Sequence, residues 1–199
     1  MSETGSAKFQ CRQIAATLSQ FPQFDELNRY RNKLLDLGMV GVDANDVSFG
    51  NLSVRDGATA QFYITATGAG GLAELALTDL AKVITYDFAT NSLQCEGSRM
   101  ASSESLTHAA VFESDSTARA VIHCHDDKLW SALLSKVSAT PDDVEYGTPE
   151  MAYAVKRLFH TTAVRDQRIL VMSGHPGGLI AFGRDLGEAF TVLMQRRAC

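Results

Sequence analysis

The sequence lacks the features that would direct it to a membrane or to a nucleic acid. It contains no apolar run that approaches the roughly 18 residues of a membrane-spanning helix. Its 18 lysines and arginines are outnumbered by 23 aspartates and glutamates, which gives a formal net charge of −5, and no basic block occurs. This composition argues against nucleic acid and against an anionic membrane surface as main partners.

Cysteine is scarce and follows no metal-binding or disulfide pattern. The four cysteines are Cys11, Cys95, Cys124 and Cys199, and no Cys-x-x-Cys spacing occurs. A disulfide-rich secreted scaffold is therefore excluded. The segment Met1–Ser6 is polar and lacks the apolar core of a signal peptide. We therefore expect a reduced, cytoplasmic protein.

What the sequence does contain is enough apolar material for one folded domain. It has 199 residues, of which 45% are hydrophobic, and it shows no internal repeat, low-complexity tract or linker. A chain of this size can bury a substantial core. We expect a partly flexible N-terminal segment over residues 1–22, disordered up to about residue 10, and a single domain over residues 23–199.

Hydrophobic spacing and turn residues predict an α/β fold in which antiparallel strand pairs form a sheet covered by helices. Thr148-Pro149-Glu150 is the strongest helix start, with a capping hydroxyl, a proline at the first helical position and an acid. Another helix is predicted to begin at Ser102 or Ser103, and a short one, capped by Thr78, to lie around Leu80. The remaining helices are predicted over about 25–37, 128–136 and 186–197. Strands are predicted over about 52–54, 61–65, 83–88, 120–125, 169–173 and 178–182.

A strand that carries two histidines is the most informative segment. In Ala120–His125 the side chains alternate between faces, so His123 and His125 point to one side and the cysteine between them, a buried thiol, to the other. Another apolar strand, Ile169–Met172, leads to His175. Three histidines held by rigid elements, with one position left open, are the pattern of a catalytic zinc site. The alternative is that the histidine pair consists of ordinary polar residues at a strand end.

An acid follows the two serines at one predicted helix start. Glu104 lies in the first turn of that helix, and His108 stands four residues later on the same face. An acid beside a metal can be a ligand, a general base, or both in turn. The alternative for Glu104 is an acid favoured there by the helix dipole. We interpret His108 as a packed histidine outside the ligand set.

Three segments offer groups that bind anions. Ser102 and Ser103 provide hydroxyls and free backbone N–H groups at a helix N-terminus. Phe49–Ser53 and Thr65–Gly71 contain glycines, which let the backbone approach an anion closely. Neither glycine segment matches a P-loop or a dinucleotide-binding fingerprint. Flexible turns are the alternative for both segments.

Six short motifs occur in one order along the chain. They are Gly50-Asn51-Leu52-Ser53-Val54-Arg55, Ile64-Thr65-Ala66-Thr67-Gly68, Ser102-Ser103-Glu104, His123-Cys124-His125, Gly147-Thr148 and Gly174-His175. This ordered set resembles the class II aldolase/adducin family over roughly Leu27 to the C-terminus. The resemblance implies a single-domain, three-layer α/β/α fold with a mixed, largely antiparallel central sheet. It also implies a cyclic homotetramer with active sites between subunits.

The resemblance further implies a role for each residue that matches a family motif. His123, His125 and His175 match the ligands of one zinc ion per chain, with another divalent metal as the alternative. Glu104 matches the acid that serves as catalytic acid/base and can also touch the metal. The residues that match the substrate-phosphate pocket are Asn51, Thr67, Gly68, Ser102 and Ser103.

The acid in the Ser-Ser-Glu motif favours the aldolase branch, because the similar pentulose-phosphate 4-epimerases usually carry aspartate there. The resemblance then implies a zinc-dependent lyase that acts on a small phosphorylated ketose, in which zinc polarises the carbonyl and stabilises an enediolate. A decarboxylase, dehydratase or 4-epimerase reaction follows the same logic. A non-catalytic, adducin-like interaction module is the alternative of a different class, although such relatives tend to lose the metal histidines.

Two features differ from the family pattern. The segment between His125 and Gly147 is shorter than the loop that supplies a proton-donating tyrosine in typical aldolases of the family, and only Tyr146 is present there. We interpret Tyr146 as a structural residue of a Tyr-Gly-Thr turn. Pro176 follows His175 where glycine is usual, and proline restricts the residue before it to extended conformations.

Overall fold

The chain forms one large β-sheet flanked by helices. The computed structural model describes residues 9–198, so nearly all of the segment expected to be disordered, up to about residue 10, lies outside the described part, and Gln10 at its end lies in a strand. The strands are β1 (Gln10–Ile14), β2 (Gly41–Val42), β3 (Ser48–Phe49), β4 (Asn51–Arg55), β5 (Phe62–Thr65), β6 (Leu80–Asp87), β7 (Ser92–Glu96), β8 (Ala120–His125), β9 (Ser138–Ala139), β10 (Ile169–Val171) and β11 (Gly178–Gly183). The helices are α1 (Phe24–Asp36), α2 (Ser105–Ser114), α3 (Asp127–Leu133), α4 (Pro149–Thr161), α5 (Val164–Gln167) and α6 (Leu186–Arg197).

Within the described range, nine strands pair in a single mixed sheet. Their order is β1-β7-β6-β5-β4-β8-β11-β10-β9, while β2 and β3 form a separate hairpin. The outermost pairs, β1 with β7 and β9 with β10, are parallel, and the pairs between them are antiparallel. The mixed, largely antiparallel sheet that the family resemblance implies is therefore confirmed.

Each face of the sheet is covered by its own hydrophobic core. Helices α2 and α4 pack against one face, where Phe62 and Phe182 are fully buried. Helices α1, α3 and α6 cover the other face, which contains Leu52, Ile122 and Cys124. Full burial of one such large apolar side chain contributes about 1.5–3 kcal/mol. The result is the predicted α/β/α arrangement, with the thiol of β8 on the face opposite its histidines.

Several helices agree closely with the predictions. Helix α6 has the predicted bounds, and α1 begins and ends one residue before its predicted limits. Helix α4 begins at Pro149, and the Thr148 hydroxyl accepts a hydrogen bond from the Met151 N–H at 3.3 Å, as a helix cap does. Among residues 9–198, none of the helices has both the length and the apolar character needed to cross a membrane.

The start predicted for helix α2 is wrong by two or three residues. Ala101 pairs with Ala66 in a β-bridge, which keeps the chain extended just before the serines. The Ser102 carbonyl then accepts hydrogen bonds from the N–H of Ser105 at 3.0 Å and from its hydroxyl at 2.6 Å. This turn precedes the helix, which begins at Ser105. Glu104 therefore occupies the N-cap position rather than the first turn.

The short helix predicted around Leu80 is also wrong. Leu80 is the first residue of β6 and pairs with Thr65, while only Leu77–Asp79 form a single 3₁₀ turn before it. Thr78 lies inside that turn rather than at its cap. The turn is held by the Asp79 carboxylate, which accepts a hydrogen bond from the backbone N–H of Ala76 at 2.9 Å. Pairing within the sheet thus prevails over the local helix signal.

Strand β1 has no clear signal in the sequence. Its residues are mostly polar and largely exposed, so hydrophobic alternation does not mark it. It pairs in parallel with β7, from Gln10 opposite Ser92 to Ile14 opposite Glu96. The N-terminal segment therefore contributes an edge strand to the sheet.

A buried arginine fastens one of the glycine segments to helix α1. Arg31 is only 2% exposed, and its guanidinium donates hydrogen bonds to the backbone carbonyls of Ala69 at 3.0 Å, of Gly70 at 2.6 Å, and of Leu72. Burial lowers the pKa of Arg31, and the charge of Asp79 opposes that shift. The loop after β5 is thereby held against α1 through its main chain.

We predict that Arg31→Met lowers the free energy of unfolding by about 3 kcal/mol, because three carbonyls lose a charged donor while the buried volume is kept. Arg29→Met is the matched control on the same helix, since the Arg29 side chain is 61% exposed and lies 3.9 Å from Glu26. It should change stability by less than about 0.5 kcal/mol. Urea unfolding of both variants provides the measurement, and equal losses would contradict the anchoring role of Arg31.

Candidate metal centre and active site

One cavity of about 550 Å³ gathers all of the predicted site residues. It lies at the edge of the sheet where β5 and β8 end and where β4 begins, beside the turn that joins β10 to β11. The predicted residues that line it are His123, His125, His175, Glu104, Asn51, Thr67, Gly68, Ser102 and Ser103. Residues that are far apart in the sequence are therefore neighbours in a single concave site.

Three imidazoles face one another in this cavity. One ring nitrogen from each of His123, His125 and His175 can be chosen so that all three atoms lie within 4.8 Å of one another. Antiparallel pairing of β8 with β11 places His125 opposite Gly178, at the end of the turn that carries His175. A Cβ at Gly178 would lie only 2.5 Å from Cδ2 of His175, so glycine provides the space for the third ring.

The hydrogen bonding of His123 leaves one nitrogen available to a metal. Its Nδ1 lies 3.1 Å from the carbonyl oxygen of Leu179. Because a carbonyl only accepts, Nδ1 carries the proton and Nε2 keeps its lone pair. A backbone partner of this kind also fixes the orientation of the ring, as it does for many metal-binding histidines.

The electrostatic surroundings keep the three histidines neutral. Burial and the neighbouring histidines lower the pKa of His123 well below its usual value. Burial lowers the pKa of His125, and burial together with His125 lowers that of His175 to about 4. A metal ion requires neutral imidazoles, and no carboxylate belongs to this group of donors. The three residues therefore fit a divalent metal that binds nitrogen ligands, such as zinc.

Glu104 brings a buried carboxyl group to the same cavity. It is 5% exposed; its Oε2 accepts a hydrogen bond from the Thr107 hydroxyl at 3.2 Å, and its Oε1 has no hydrogen-bond partner among the described residues. Burial raises the pKa of Glu104 to about 7, against the opposing effect of the bond from Thr107. A carboxyl group that titrates near neutral pH can both take up and release a proton during a reaction.

His108 has a different place, in agreement with its interpretation as a packed histidine. It is fully buried, and its Nδ1 lies 2.6 Å from the Ser53 hydroxyl of β4. Burial lowers its pKa to about 3, so the ring is neutral. It is neither part of the imidazole trio nor among the residues that line the cavity.

The remaining predicted residues form a polar end of the cavity. The Asn51 amide lies 3.1 Å from the Ser102 hydroxyl, and Thr67 donates a hydrogen bond to the Ala101 carbonyl at 3.1 Å. Asn51 Oδ1 has no partner in this orientation of the amide. Since a hydroxyl can donate as well as accept, rotating the amide pairs Oδ1 with Ser102 and turns the NH₂ group outward. Ser103 is exposed beside them, so this end presents mainly hydrogen-bond donors.

Several cavity residues are missed by the sequence interpretation. Asp43 and Asp46, on the β2–β3 hairpin, line the cavity. Gly70 packs so closely against this hairpin that a Cβ on Gly70 would lie 2.1 Å from the carbonyl oxygen of Gly41, and this contact brings the hairpin to the site. Tyr146, interpreted as a structural turn residue, also lines the cavity, and its ring centroid lies 4.2 Å from that of His175. No local pattern marks these positions, because long-range packing brings them to the site.

One arginine also approaches the polar end without belonging to a motif. Arg99 pairs with Asp79 at 3.3 Å, and its Nη1 lies 3.8 Å from the point where a Cβ of Gly68 would stand. Gly68 has a φ of +78°, which glycine adopts readily. A cation therefore lies beside the loop predicted to hold an anion, at a position that only the fold identifies.

Known structures share this fold. A structure of L-fuculose 1-phosphate aldolase has 22% identity and a TM-score of 0.68, over 92% of this chain and 85% of that one. The L-fuculose-1-phosphate aldolase of Thermus thermophilus has 24% identity and a TM-score of 0.60, over 88% and 89%. YgbL of Klebsiella pneumoniae, whose name leaves open an aldolase, epimerase or decarboxylase, has 19% identity and a TM-score of 0.64, over 86% and 83%. At such identities the likeness concerns the fold alone.

Comparison of sequences extends this result from fold to family. No curated protein sequence gave a significant match. A family model, described as the class II aldolase and adducin N-terminal domain, matches residues 38–197. The matched region contains every cavity residue discussed above and nearly the whole sheet, with the exception of strand β1. The protein therefore belongs to the class II aldolase and adducin N-terminal domain family.

Proposed function

We propose that this protein is a zinc-dependent lyase that cleaves a small phosphorylated ketose by a retro-aldol reaction. The observation that carries the proposal is the composition of one cavity. Three neutral imidazoles, a buried carboxyl group with a pKa of about 7 and a donor-rich polar end occur together there. Membership of the class II aldolase family supports an enzyme of this kind, as do the names of the fuculose-phosphate aldolases that share the fold.

His123, His125 and His175 are proposed to hold the metal. Their arrangement leaves one side open to the cavity, where a substrate oxygen can approach. Zinc bound there would act as a Lewis acid that polarises the carbonyl and stabilises the enediolate left by bond cleavage. Rigid support from β8 and from the β10–β11 turn means that the donors need little rearrangement.

Glu104 is proposed to move the proton. Its free Oε1 is the atom that can take a proton from the hydroxyl of the carbon that leaves as an aldehyde, and the same oxygen can then return the proton to the remaining carbon. A pKa near neutral allows both steps, and burial excludes competing water. The bond from Thr107 holds the other oxygen in place.

The polar end is proposed to bind the phosphate group. The residues involved are Asn51, Thr67, Gly68, Ser102 and Ser103. Backbone and hydroxyl donors ahead of α2 suit an anion, and Arg99 adds positive charge beside Gly68. The distance between this end and the imidazoles would determine which carbon of the substrate lies near Glu104.

Other reactions on this scaffold share much of the machinery. A decarboxylase, dehydratase or epimerase would use the same imidazoles and carboxyl group, whereas a non-catalytic interaction module has no need of three neutral histidines. A screen of sugar phosphates that follows release of dihydroxyacetone phosphate, with carbon dioxide release and epimer formation in parallel, distinguishes these reactions.

Assembly as a cyclic homotetramer, with active sites between subunits, remains part of the proposal. Apolar side chains are exposed on the segments around the cavity, in support of a subunit contact there. Val47 is 59% exposed, Tyr146 53% and Met100 49%. The first two also line the cavity, so a partner subunit that covered them would help to enclose the substrate.

We predict about one divalent metal ion per chain in the zinc-replete protein, as expected for a three-histidine site. The variant His123→Ala should lose most of it, because two imidazoles seldom retain zinc. His160→Ala is the control, since His160 is exposed on α4 and outside the trio. Elemental analysis after gel filtration provides the measurement. Near-zero metal in all three proteins would refute the assigned site.

We predict that Glu104→Gln lowers turnover of an identified substrate by a factor of about 100 or more, the usual scale of general acid–base catalysis. Metal content should stay the same, because the amide retains the size and one oxygen of the carboxyl group. Single-substrate kinetics and elemental analysis on the same preparation test this. A variant with unaltered turnover would rule out the proton-transfer role.

The same substitution should stabilise the metal-free protein at high pH. Burial raises the folded-state pKa from 4.5 to about 7, so between these values the unfolded state loses its proton first, and stability falls as pH rises. Above pH 7 the folded state buries an ionised carboxylate, which lowers the free energy of unfolding by an amount on the order of 3 kcal/mol. Glu104→Gln should therefore be more stable than wild type by that amount at pH 8, and about equal at pH 4. Exposed Glu150 supplies the control variant Glu150→Gln, which removes a surface carboxyl group and should change stability by less than about 0.5 kcal/mol.

We predict that inorganic phosphate competes with substrate and that Ser103→Asp raises the apparent KM by a factor of about ten or more, because like charges in one pocket repel. Zinc content should change little. Ser19→Asp adds the same charge at an exposed position away from the cavity and should leave KM unaltered. A substrate indifferent both to phosphate and to Ser103→Asp would mean that these serines only form a turn.

A further inference from the structure

Two cysteines from distant parts of the sequence meet at the edge of the sheet. Cys11 lies on β1 and Cys95 on β7, and their Sγ atoms are 3.3 Å apart. In the parallel register Cys11 stands opposite Leu93 and Cys95 opposite Gln13, so the thiols contact each other diagonally. Both side chains face the core that α2 and α4 cover. This contact plays no part in the proposed lyase reaction.

Exposure and hydrogen bonding distinguish this pair from the other described cysteine. Cys11 is partly exposed, whereas Cys95 and Cys124 are fully buried. The hydrogen bond from Cys11 lowers the pKa of Cys95 to about 7, although burial opposes this, and the bond to Cys95 raises the pKa of Cys11. Burial raises the pKa of Cys124, which leaves it an unreactive thiol. The pair therefore loses its first proton more easily than a buried single thiol does.

We propose that Cys11 and Cys95 form a reversible thiol–disulfide site that exchanges with low-molecular-weight disulfides and, when closed, links the N-terminal strand covalently to the sheet. Neither the family match nor the cavity chemistry requires such a site. It rests on the contact between the two sulfurs and on the partial exposure of one of them.

Exposure determines the order of the two exchange steps. The proton shared by the sulfurs lies on Cys11 at rest and passes to Cys95 as the more exposed Cys11 attacks a small disulfide, which forms a mixed disulfide and expels one small thiolate. Cys95 then loses its proton to solvent, and its thiolate attacks Sγ of Cys11 and expels the second small thiolate. Two protein thiols are thereby oxidised to one disulfide, and the small disulfide is reduced to two thiols.

The sheet edge can accommodate the closed form. A disulfide bond is about 2.05 Å long, so the sulfurs must approach each other by little more than 1 Å. Strand β1 pairs only with β7 among the described residues, so it can shift without breaking a second ladder. Cys11 itself is incompletely buried and has room to rotate.

The pair also touches the segment that leads to the proposed active site. Ala101 packs in the same core as both thiols, and the backbone N–H of Ala101 lowers the pKa of each. The carbonyl of the same residue accepts the bond from Thr67, and Ser102 follows it directly. A disulfide sulfur is a weaker acceptor than a thiolate, so closure should loosen Ala101. The expected consequence, weaker anion binding at the polar end, rests on the proposed function.

Peptide mapping of the wild-type chain tests the site itself. The protein is incubated in buffers of oxidised and reduced glutathione, quenched with acid, alkylated and digested for mass spectrometry. We expect a peptide pair linked through Cys11 and Cys95, which dithiothreitol reverses, while Cys124 stays reduced. Cys95→Ser should stop at the glutathione adduct on Cys11, and Cys11→Ser should leave Cys95 unmodified. A wild-type chain that retains the adduct without closing, or in which neither cysteine reacts, overturns the proposal whether or not the variants fold.

Binding of inorganic phosphate to the zinc-loaded protein tests the link to the cavity. Weakening the interaction of Ala101 with the sulfurs should make phosphate binding roughly threefold or more weaker in the oxidised form, measured by calorimetry. Equal affinity of both forms would overturn the link between the dithiol and the cavity. If neither form binds phosphate, the anion pocket of the proposed lyase fails, while the mapped disulfide still supports the thiol–disulfide site.

Discussion

The pairing register of β8 is the constraint on which the site depends. This strand lies at the centre of the sheet between β4 and β11, with His123 opposite both Asn51 and Ile180, and His125 opposite Gly178. Side chains alternate along a strand, so a slip of one residue would bury both histidines in the opposite core. Apolar packing on both faces makes such a slip costly. The packing of the two cores therefore fixes the direction in which the imidazoles point, and with it the geometry of the cavity.

The cavity contains groups that a stable fold would otherwise avoid. Glu104 Oε1 has no hydrogen-bond partner among the described residues, and three imidazoles lie close together with lowered pKa values. An unpaired buried polar atom costs roughly 1–3 kcal/mol. Such costs are tolerated where the group serves a ligand, and they are offset by the two apolar cores and by contacts such as the Arg31 anchor. A buried carboxyl oxygen without a partner beside three clustered imidazoles is itself an argument for function.

Sequence patterns predict the parts of this molecule that are determined by residues close together in the chain. The Thr148 cap, the bounds of α6 and the shared face of His123 and His125 follow from short-range rules. Local patterns also suggest His175 and the anion-binding segments, but only the family resemblance joins them to the strand histidines in one site, because nothing local connects them. Sheet pairing overrode the helix expected at Leu80. Tyr146 and the β2–β3 hairpin reach the cavity through tertiary packing, which no single segment encodes.

Charge in the cavity explains why metal and anion should depend on each other. Asp43 and Asp46 line it, and hydrogen bonds from the N–H groups of Val47 and Asn45 lower the pKa of Asp43, so it stays ionised. No lysine or arginine is among the lining residues, and Arg99 lies beside the loop, already paired with Asp79. Without a metal, a phosphate would therefore enter a negative site. A bound divalent cation is the largest charge in such a place and reverses its sign.

The bound cation would also favour the ionised form of Glu104, the form that a retro-aldol reaction needs as its base. Metal binding would then prepare the site in two ways, by admitting the anionic end of the substrate and by deprotonating the carboxyl group that acts on it.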